Sequence, residues 1–432
     1  MGRKRTDQTL KVYLNESHVG DYKQSSTGAV GFQYTPSWLD QDNSFAISYS
    51  LPLIETPYKG DKVSAFFENL LPEGMETRKK IAENLGAESH QVFDLLRTIG
   101  KDCVGALQFI EEGEAPPKKQ KVKALPITTG QIEESLRKLP YQPLGLKKDQ
   151  DFRISIAGIQ NKLAYLKVKG KWMIPQGSTP TSHILKPAMG ILPNGIDLTT
   201  STENEWLCLK IAEYLGLKTA HADICRFNDQ KALVVERFDR KWSADCQYLS
   251  RVHQEDLCQA FGVSSARKYE SDGGPGIPDI MRFLNASDYR DEDRKTFFRA
   301  QIVYFLLAAI DGHAKNFSLF LTPTGFSLAP IYDVISVYSA LSDRQIEIKE
   351  AKLAMSVGNG RKYRLKDIFK RHWEQTAQKC GFSRNDLDEI IEDLEGKISA
   401  GLKNKIDVPD DFPGKIVHEI IEGVEKTAQK LF

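Results

Sequence analysis

The chain has 432 residues, of which 41% are hydrophobic and 27% charged, and its formal net charge is +1. A globular protein of two or three domains with substantial cores fits this length and composition. Because the charges nearly balance, no overall field attracts the chain to nucleic acid or to a membrane surface, and such a contact would need a local patch.

The cysteines and the apolar runs narrow the class of protein further. Six cysteines are scattered without a Cys-x-x-Cys pair, which argues against both a zinc site and a disulfide framework. We therefore expect a protein of the reducing cytoplasm. No apolar run approaches the ~20 residues that a membrane helix needs, and no signal peptide precedes the first predicted strand, so we expect no membrane partner.

The first predicted domain, residues 1–123, is a β-rich module followed by helices and a basic linker. Helical sequence is predicted over 66–85. Residues 111–126 combine charge blocks and prolines, which is typical of an exposed linker, and we interpret the basic arm at 1–6 and the run 118–123 as solvated. Asn, Ser and Gly turns separate the predicted strands, at 10–14, 20–22, 30–34 and 45–51.

The second predicted domain, residues 124–238, opens with a helix at 131–138 and then changes character. A strand, a small-residue loop and a second strand follow each other over 152–168, with the loop at Ser155-Ile156-Ala157-Gly158. This order is how a kinase small lobe places backbone N–H groups over phosphates. The loop matches neither G-x-G-x-x-G nor a Walker A motif, so it is a weak signal in isolation.

A lysine and a glutamate follow at kinase-like positions. Lys186 ends a short predicted strand, and Glu205 lies on the next predicted helix, 203–215. A kinase uses such a pair to order the α- and β-phosphates, but Thr202-x-x-Glu205 also fits a helix capping box, and both interpretations stay open. The strand 231–236 then reaches a charged segment, which is either a kinase hinge or an ordinary edge strand.

The third predicted domain, residues 239–432, is a helical lobe with one hairpin. The hairpin consists of strands at 317–321 and 326–331 around a Thr-Pro-Thr-Gly turn. It follows an almost entirely apolar run that predicts a buried helix ending at Asp311. The predicted helices span 254–261, 277–285, 291–310, 365–380, 384–402 and 413–431.

Three oxygen-bearing side chains should meet at this hairpin. Asp311 and Asn316 have the D-x-x-x-x-N spacing of the kinase catalytic loop, and antiparallel pairing would bring Asp333 to within a residue or two of facing Asn316. Such ligands suit Mg²⁺, which proteins hold by one or two carboxylates together with substrate phosphates. For the D-x-x-x-x-N spacing alone, a helix end followed by an ordinary polar hairpin is the favoured alternative.

Several longer motifs in this order together resemble the bacterial HipA family of serine/threonine kinase toxins. The resemblance implies an α+β, two-lobed protein kinase-like fold of the phosphatidylinositol kinase type, with a β-rich N-terminal module and an α-helical C-lobe. Unlike ordinary protein kinases, the chain has no HRD, DFG or APE motif. The motifs are Phe152-Arg-Ile-Ser-Ile-Ala-Gly158, Val235-Glu-Arg-Phe-Asp-Arg240, Lys268-Tyr-Glu-Ser-Asp-Gly-Gly-Pro-Gly276, Asp311-Gly-His-Ala-Lys-Asn316 and Ile331-Tyr-Asp333.

The resemblance also implies roles for individual residues. Asp311 would be the catalytic base, and Asn316 and Asp333 would bind Mg²⁺. His313, two residues after the base, would contact the γ-phosphate or be structural. The implied ATP contacts are the loop Ser155, Ile156, Ala157 and Gly158, the side chain of Lys186 with Glu205 as its possible partner, and the backbone of Glu236 and Phe238 at the adenine.

The function implied by the resemblance is a toxin that phosphorylates a serine of glutamyl-tRNA synthetase and thereby promotes growth arrest and persistence. Its implied partners are a HipB-like antitoxin dimer and, through that complex, operator DNA, which would associate a cytoplasmic protein with the nucleoid. Self-phosphorylation would fall on Ser155. A phosphate there adds about −1.5 to −2 charge beside the ATP phosphates, so we expect it to inactivate the kinase.

Three other functions fit parts of the sequence. A catalytically silent co-repressor would act only through its antitoxin, and the joint presence of Asp311, Asn316 and Asp333 disfavours it. A kinase of the same superfamily could act on a small molecule or lipid. A metal-dependent hydrolase built on Asp311, His313 and Asp333 is the most remote of the three.

Overall fold

A computed structural model of the chain describes residues 6–118, 120–146 and 153–432. Three features of the sequence interpretation lie outside these ranges. They are the basic arm before Thr6, Lys119 in the basic run, and the start of the phosphate-loop strand at Phe152.

Packing divides the chain into two compact units, each assembled from separate segments. Unit 1 contains residues 1–187, 225–266 and 318–324, and unit 2 contains 188–224, 267–317 and 325–432. The two units are defined by how closely their segments pack together. This division does not test the three domains predicted from the sequence, which therefore stay predictions.

The described chain mixes strands and helices, as expected for an α+β protein. The strands are β1 Gln8–Leu14, β2 Ser17–Gln24, β3 Val30–Tyr34, β4 Tyr58–Lys59, β5 Leu107–Glu111, β6 Ala124–Pro126, β7 Leu163–Val168, β8 Lys171–Pro175, β9 His183–Pro187, β10 Gly190–Ile191, β11 Asp197–Leu198, β12 Ala222–Phe227, β13 Gln230–Glu236, β14 Arg240–Trp242, β15 Leu249–Arg251, β16 Gln254–Asp256, β17 Ser318–Thr322, β18 Gly325–Leu328, β19 Lys352–Val357 and β20 Lys362–Arg364.

The longest helices belong to unit 2, and several short 3₁₀ turns accompany them. The α-helices are α1 Pro36–Leu39, α2 Asp61–Glu68, α3 Met75–Leu85, α4 Val92–Ile99, α5 Thr129–Lys138, α6 Ser201–Tyr214, α7 Leu257–Phe261, α8 Ile277–Phe283, α9 Arg290–Leu306, α10 Tyr338–Ser342, α11 Lys370–Lys379, α12 Arg384–Ser399 and α13 Gly414–Ala428.

The N-terminal sheet of unit 1 has the antiparallel order β4-β3-β2-β1-β5. The three strands predicted near 10–14, 20–22 and 30–34 are confirmed. The prediction of a strand over 45–51 is wrong. Hydrogen bonds to side chains, rather than to a neighbouring strand, hold this segment. Tyr34 accepts a hydrogen bond from the backbone N–H of Ile47, and the carboxyl of Glu255 accepts one from Tyr49 N–H.

A second sheet, of order β12-β13-β9-β7-β8-β6, carries the predicted kinase elements of residues 124–238. The predicted strands at 163–168, 181–187 and 231–236 correspond to β7, β9 and β13. In the β9–β13 pair, Lys186 lies opposite Leu233 and Glu236 lies opposite His183. The helix α5 covers one face, and Ile132 and Leu136 pack into the core cluster with Leu185 and Val234.

A buried ionic cluster joins the loop after α4 to the segment that follows β13. The carboxylate of Asp102 lies 3.0 Å from Arg240 and 2.9 Å from Arg251, and Asp239 lies 2.8 Å from Arg237. Burial alone would raise the pKa of Asp102, but the three arginine charges lower it well below its usual range. Ions removed from water are tolerated only with such complete pairing, so this cluster fixes the path of the chain beyond Glu236.

The buried helix before Asp311 is confirmed, but it is shorter than predicted. α9 ends at Leu306, because Ala308 adopts a left-handed conformation (φ 49°) and the N–H of Ala309 donates back to the carbonyl of Tyr304. This is the hydrogen bond of a Schellman end, which stops a helix. Asp311 therefore lies in the loop beyond the helix rather than at the helix terminus.

Two further predictions for residues 239–432 are corrected. The helix predicted over 254–261 begins as the strand β16, which pairs with β17, and only α7 is helical. The segment 351–364, for which no strand was predicted, forms the antiparallel pair β19–β20. Both strands of the predicted hairpin at 317–331 are present as β17 and β18, joined at Pro323-Thr324.

Glu255 is fully buried on β16, and burial raises its pKa to about 8. We expect the stability of the protein to fall as pH rises between 4.5, the ordinary value, and 8. In this window the folded state binds a proton that the unfolded state has lost, at about 1.4 kcal/mol of unfolding free energy per pH unit. Glu255→Gln should remove this dependence. In urea unfolding, the free energy of unfolding of the variant should therefore rise relative to that of the wild type from pH 5 to pH 8.

The exposed Glu83 provides the matched control for this prediction. Glu83→Gln should leave the free energy of unfolding close to that of the wild type. A difference between Glu255→Gln and the wild type that does not change with pH would mean that Glu255 is ionised in the folded state.

Within the described ranges, no helix is both long enough and apolar enough to cross a membrane.

Candidate active site

Asp311 is an exposed residue of unit 2, in the loop that follows α9. Its side chain is 61% exposed, and the hydroxyl of Tyr269 donates a hydrogen bond to its Oδ1. The next residue must be glycine, since a Cβ on Gly312 would lie 2.2 Å from Cδ2 of Tyr304. The loop thus packs closely against the end of α9 through Gly312, and the Asp311 carboxylate beside this contact is exposed to solvent.

Asn316 is buried at the end of a 3₁₀ turn, Ala314–Asn316. Its Nδ2 donates to the backbone carbonyl of Asp311 over 2.7 Å. This bond ties the two ends of the D-x-x-x-x-N segment together and assigns the amide nitrogen as a donor. The amide oxygen is then the atom of this side chain that is suited to a metal.

Asp333 adopts a left-handed backbone conformation with φ 59°, which is unusual for a residue other than glycine. The preceding residue, Tyr332, donates from its hydroxyl to the carbonyl of Lys315 over 3.0 Å. The charge of Asp333 also acts on His313 and Tyr304. Residues in strained conformations cluster at functional sites, and this one is attached to the Asp311–Asn316 loop.

His313 is 3% exposed, with Nε2 3.8 Å from Oδ1 of Asp311. Burial lowers its pKa to about 3, with a further contribution from Lys268, while Asp333 acts in the opposite direction. The imidazole is therefore neutral at physiological pH. In the described part of the chain its Nδ1 has no hydrogen-bond partner, so the site holds a buried polar atom suited to a ligand.

The residues present fit a magnesium ion that is shared with phosphate. Asn316 and Asp333 offer an amide oxygen and a carboxylate, which are the hard ligands that Mg²⁺ prefers. Among the residues that the structure describes, no three His, Cys, Asp or Glu side chains form a metal cluster. An ion here would therefore depend on Asn316 and on oxygens brought by a substrate.

The predicted phosphate loop belongs to unit 1, where it packs against the segment after α2. Ser155 is fully buried; its Oγ donates to the carbonyl of Leu70 over 2.7 Å, and its N–H donates to the carbonyl of Asp102 over 3.0 Å. Ile156 is buried in the same N-terminal core. The loop thus depends on the N-terminal module for its position.

Two hydrogen bonds hold the second half of this loop, at Ala157 and Gly158. Nζ of Lys162 donates to the carbonyl of Ala157 over 2.8 Å, and the carbonyl of Gly158 accepts from the N–H of Glu73 over 3.0 Å. Gly158 has φ 106°, and a Cβ on it would lie 2.7 Å from Nζ of Lys162. Only glycine fits this turn, which is typical of a loop that approaches a ligand through its backbone.

The other predicted ATP-contacting residues of unit 1 lie on β9 and at the end of β13. Lys186 is 7% exposed on β9. Glu236 is exposed at the last position of β13, and the ring of Phe238 makes an edge contact with Phe320 at 5.7 Å between centroids. Buried arginines flank this segment, so its backbone is fixed by the ionic cluster described above.

Glu205 is buried in α6, but the capping-box interpretation of it is wrong. The helix begins at Ser201, its N-cap residue is Thr200, and Oγ1 of Thr202 has no hydrogen-bond partner in the described chain. A capping box needs Thr202 to precede the first turn, and here it lies inside that turn. The predicted pairing of Glu205 with Lys186 stays a prediction.

Two contributors to the site were missed from the sequence. Tyr269, which donates to Asp311, was only one letter of a longer motif, and the anchoring role of Asp102 had no signal at all. A single tyrosine or aspartate in a loop belongs to no periodic pattern. Tyr269 is 42 residues from its partner Asp311 in the sequence, and Asp102 is 138 residues from its partner Arg240.

Comparisons with known proteins point to one family. The model of the HipA N-terminal domain matches residues 10–110, and that of the HipA-like C-terminal domain matches residues 154–402. Among curated proteins, the "Putative kinase Y4mE" of Sinorhizobium fredii is 33% identical over 87% of this chain and 86% of its own length. The serine/threonine-protein kinase toxin HipA of Shewanella oneidensis is 30% identical over 81% of this chain and 78% of its own length.

A solved structure shares the fold over 98% of this chain. It is the complex of Shewanella oneidensis HipA with HipB and operator DNA, matched at a TM-score of 0.79 and 24% identity over 98% of this chain and 97% of that one. The predicted α+β kinase-like fold is therefore confirmed.

Proposed function

The chain belongs to the HipA family, and on this premise we propose that it is a Mg-ATP-dependent serine/threonine protein kinase and the toxin of a toxin–antitoxin pair. The observation that carries the proposal is the joint geometry of Asp311, Asn316 and Asp333. Asn316 is hydrogen-bonded to Asp311, and Asp333 is attached to their loop through Tyr332.

In the proposed reaction the exposed carboxylate of Asp311 accepts the hydroxyl proton of an acceptor serine. The serine oxygen attacks the γ-phosphorus of ATP, the bond to the β,γ-bridging oxygen breaks, and ADP leaves. Tyr269, by donating to Oδ1, orients the carboxylate. Phosphoryl transfer depends mainly on positioning and on charge stabilisation, and Mg²⁺ would supply the positive charge at Asn316 and Asp333.

His313 is best suited to a positioning role. A neutral buried imidazole cannot supply the positive charge that a lysine at this place gives an ordinary protein kinase. Its ring packs edge-on against Tyr269 at 5.0 Å between centroids, so it supports the residue that orients Asp311. Its unpartnered Nδ1 could accept or donate one hydrogen bond to a bound phosphate.

The nucleotide would bind against unit 1. We assign the phosphates to the loop Ser155–Gly158 and to Lys186, and the adenine to the backbone of Glu236 and Phe238. The rigid hydrogen bonding of the loop and the ionic anchoring beyond Glu236 support this assignment, since both present fixed backbone groups. In functional terms we retain an N-terminal module (1–123), a small lobe (124–238) and a C-lobe (239–432).

The partners are proposed by analogy with the family. A HipB-like antitoxin dimer would hold the toxin inactive, and the pair would bind operator DNA, as the solved relative does with HipB. Glutamyl-tRNA synthetase is the proposed acceptor. Phosphorylation of one of its serines would arrest growth and promote persistence.

The proposal is tested by incubating the full chain with γ-labelled ATP and Mg²⁺, with and without glutamyl-tRNA synthetase, and mapping the phosphate by mass spectrometry. We expect phosphoserine on protein and none in EDTA. Label confined to a small molecule would favour a small-molecule kinase, and the absence of both ATP binding and label would favour the silent co-repressor.

A further inference from the structure

A buried lysine beside the catalytic loop has no role in the mechanism described so far. Lys268 begins the motif that ends at Gly276, and it is 7% exposed. Its backbone carbonyl accepts a hydrogen bond from the N–H of Ala314 over 3.4 Å, and the next residue, Tyr269, donates to Asp311. A separate segment of unit 2 therefore brings Lys268 to the Asp311–Asn316 loop.

Two further contacts fix the backbone of this segment. The N–H of Gly274 donates to the carbonyl of Tyr269 over 2.9 Å, and a Cβ on Gly274 would lie 3.0 Å from the carbonyl carbon of Lys268. The carboxylate of Glu270 accepts hydrogen bonds from the N–H and the Oγ of Ser356. Because the Lys268 side chain is also buried, its position is largely set before a substrate binds, as electrostatic catalysis requires.

The ammonium of Lys268 lies near His313. Its Nζ is 5.7 Å from the ring centroid of Tyr269, and the His313 ring packs edge-on against the same tyrosine. Burial is the main cause of the lowered pKa of His313, and the charge of Lys268 is the next, ahead of that of Lys315. Because the interaction between charges weakens with distance, a fixed positive charge is close to the imidazole.

The charges around this loop suit a bound phosphate. Lys268 and Lys315 are both buried, and their two positive charges balance the carboxylates of the site. These carboxylates belong to Asp311 and Asp333. A Mg²⁺ ion at Asn316 and Asp333 would leave positive charge in excess, which is costly in a partly buried site. A phosphate group bound beside Lys268 would offset this excess.

We propose that Lys268 is a further catalytic residue, whose ammonium binds the γ-phosphate of ATP and stabilises its charge during transfer. The inference rests on the proposed kinase function and deepens it. The bond from the serine oxygen to phosphorus forms while the bond to the β,γ-bridging oxygen breaks, and the serine proton passes to Asp311. Lys268 keeps its own protons and donates hydrogen bonds to the phosphoryl oxygens. It thus supplies the positive charge that the neutral His313 cannot.

The test compares the affinities of the full chain for ADP and for a non-hydrolysable ATP analogue, both with Mg²⁺, by calorimetric titration. Lys268→Met removes the charge and keeps most of the length of the side chain. We expect it to bind ADP within about twofold of the wild type but the analogue about tenfold or more weakly, the usual range for a hydrogen bond to a charged group. The control Lys403→Met, at an exposed lysine of unit 2, should bind both nucleotides as the wild type does.

The diphosphate distinguishes a contact to the γ-phosphate from a structural role, because a distorted site would bind both nucleotides less well. Equal weakening of both nucleotides in Lys268→Met, or of neither, would overturn the proposal. So would a loss of the preference for the analogue in Lys315→Met alone. A wild type that binds neither nucleotide would instead contradict the kinase function itself.

A second measurement uses the wild type and so does not depend on the folding of a variant. Lysines are acetylated with N-hydroxysuccinimidyl acetate in the presence of either nucleotide, and the sites are quantified by mass spectrometry. Acetylation of Lys268 should be about threefold or more slower with the analogue than with ADP, because a charge-assisted hydrogen bond to phosphate protects the amine. Lys403 should react equally in both samples. Equal rates at Lys268 would contradict the contact.

Discussion

Asp311→Asn is expected to lower phosphoryl transfer to serine on the order of 10³-fold, the usual contribution of a general base, while ATP binds as in the wild type. The asparagine keeps an oxygen that can accept from Tyr269 but cannot take the serine proton. Because the Asp311 side chain is 61% exposed, the substitution should leave the folded state intact. Initial rates with γ-labelled ATP and equilibrium ATP binding measure the two effects separately.

The control for this variant is Asp410→Asn, at an exposed aspartate distant in sequence from the site. It should transfer phosphate at the wild-type rate. An Asp311→Asn variant that keeps more than a tenth of the wild-type rate would remove Asp311 from the role of base.

Phosphorylation of Ser155 is expected to abolish ATP binding. The side chain is fully buried and its Oγ is a donor to Leu70, whereas a phosphoserine carries about −1.5 to −2 charge and cannot remain in that position. The loop would have to leave its packing, and the backbone bonds at Asp102 and Glu73 would break. Ser155→Glu should mimic this state and weaken ATP binding by at least about 100-fold, since each 1.4 kcal/mol corresponds to a factor of ten.

Ser155→Ala should behave differently, because it removes one hydrogen bond of about 1 kcal/mol and adds no charge. It should still bind ATP and phosphorylate an external acceptor but should carry no phosphate in this loop. Calorimetric ATP titrations distinguish the two variants, and Ser37→Glu, at an exposed serine of the same unit, is the charge control. Wild-type affinity in Ser155→Glu would disprove the inactivation mechanism.

The periodic elements were largely predictable from the sequence. Apolar residues recur with the period of a strand or of a helix in several elements, and this period predicts the type of element. These elements are the strands β1, β3, β7 and β13 and the helix α5. Element ends were less predictable. The apolar run continues to Ile310 and therefore predicts a helix up to that residue. In the structure α9 ends at Leu306, because Ala308 adopts a left-handed conformation. An alanine in the sequence does not indicate that conformation.

The site was predicted where its residues are close in sequence. Asp311 and Asn316 are related by a fixed spacing, and a hydrogen bond joins them in the structure. Long-range features were not predicted, because no local pattern encodes them. Asp102 meets its arginines more than a hundred residues away, and β20 is only three residues long, Lys-Tyr-Arg, so its sequence shows no apolar alternation.

The most direct test of the account is the binding of Mn²⁺, as a spectroscopic substitute for Mg²⁺, followed by electron paramagnetic resonance with and without a non-hydrolysable ATP analogue. We predict that the wild type binds Mn²⁺ tightly only when the nucleotide is present, and that Asp333→Asn loses this binding while Asp410→Asn keeps it. Nucleotide-dependent Mn²⁺ binding of equal strength in wild type and Asp333→Asn, or none in the wild type, would contradict a magnesium site shared by Asn316, Asp333 and the ATP phosphates.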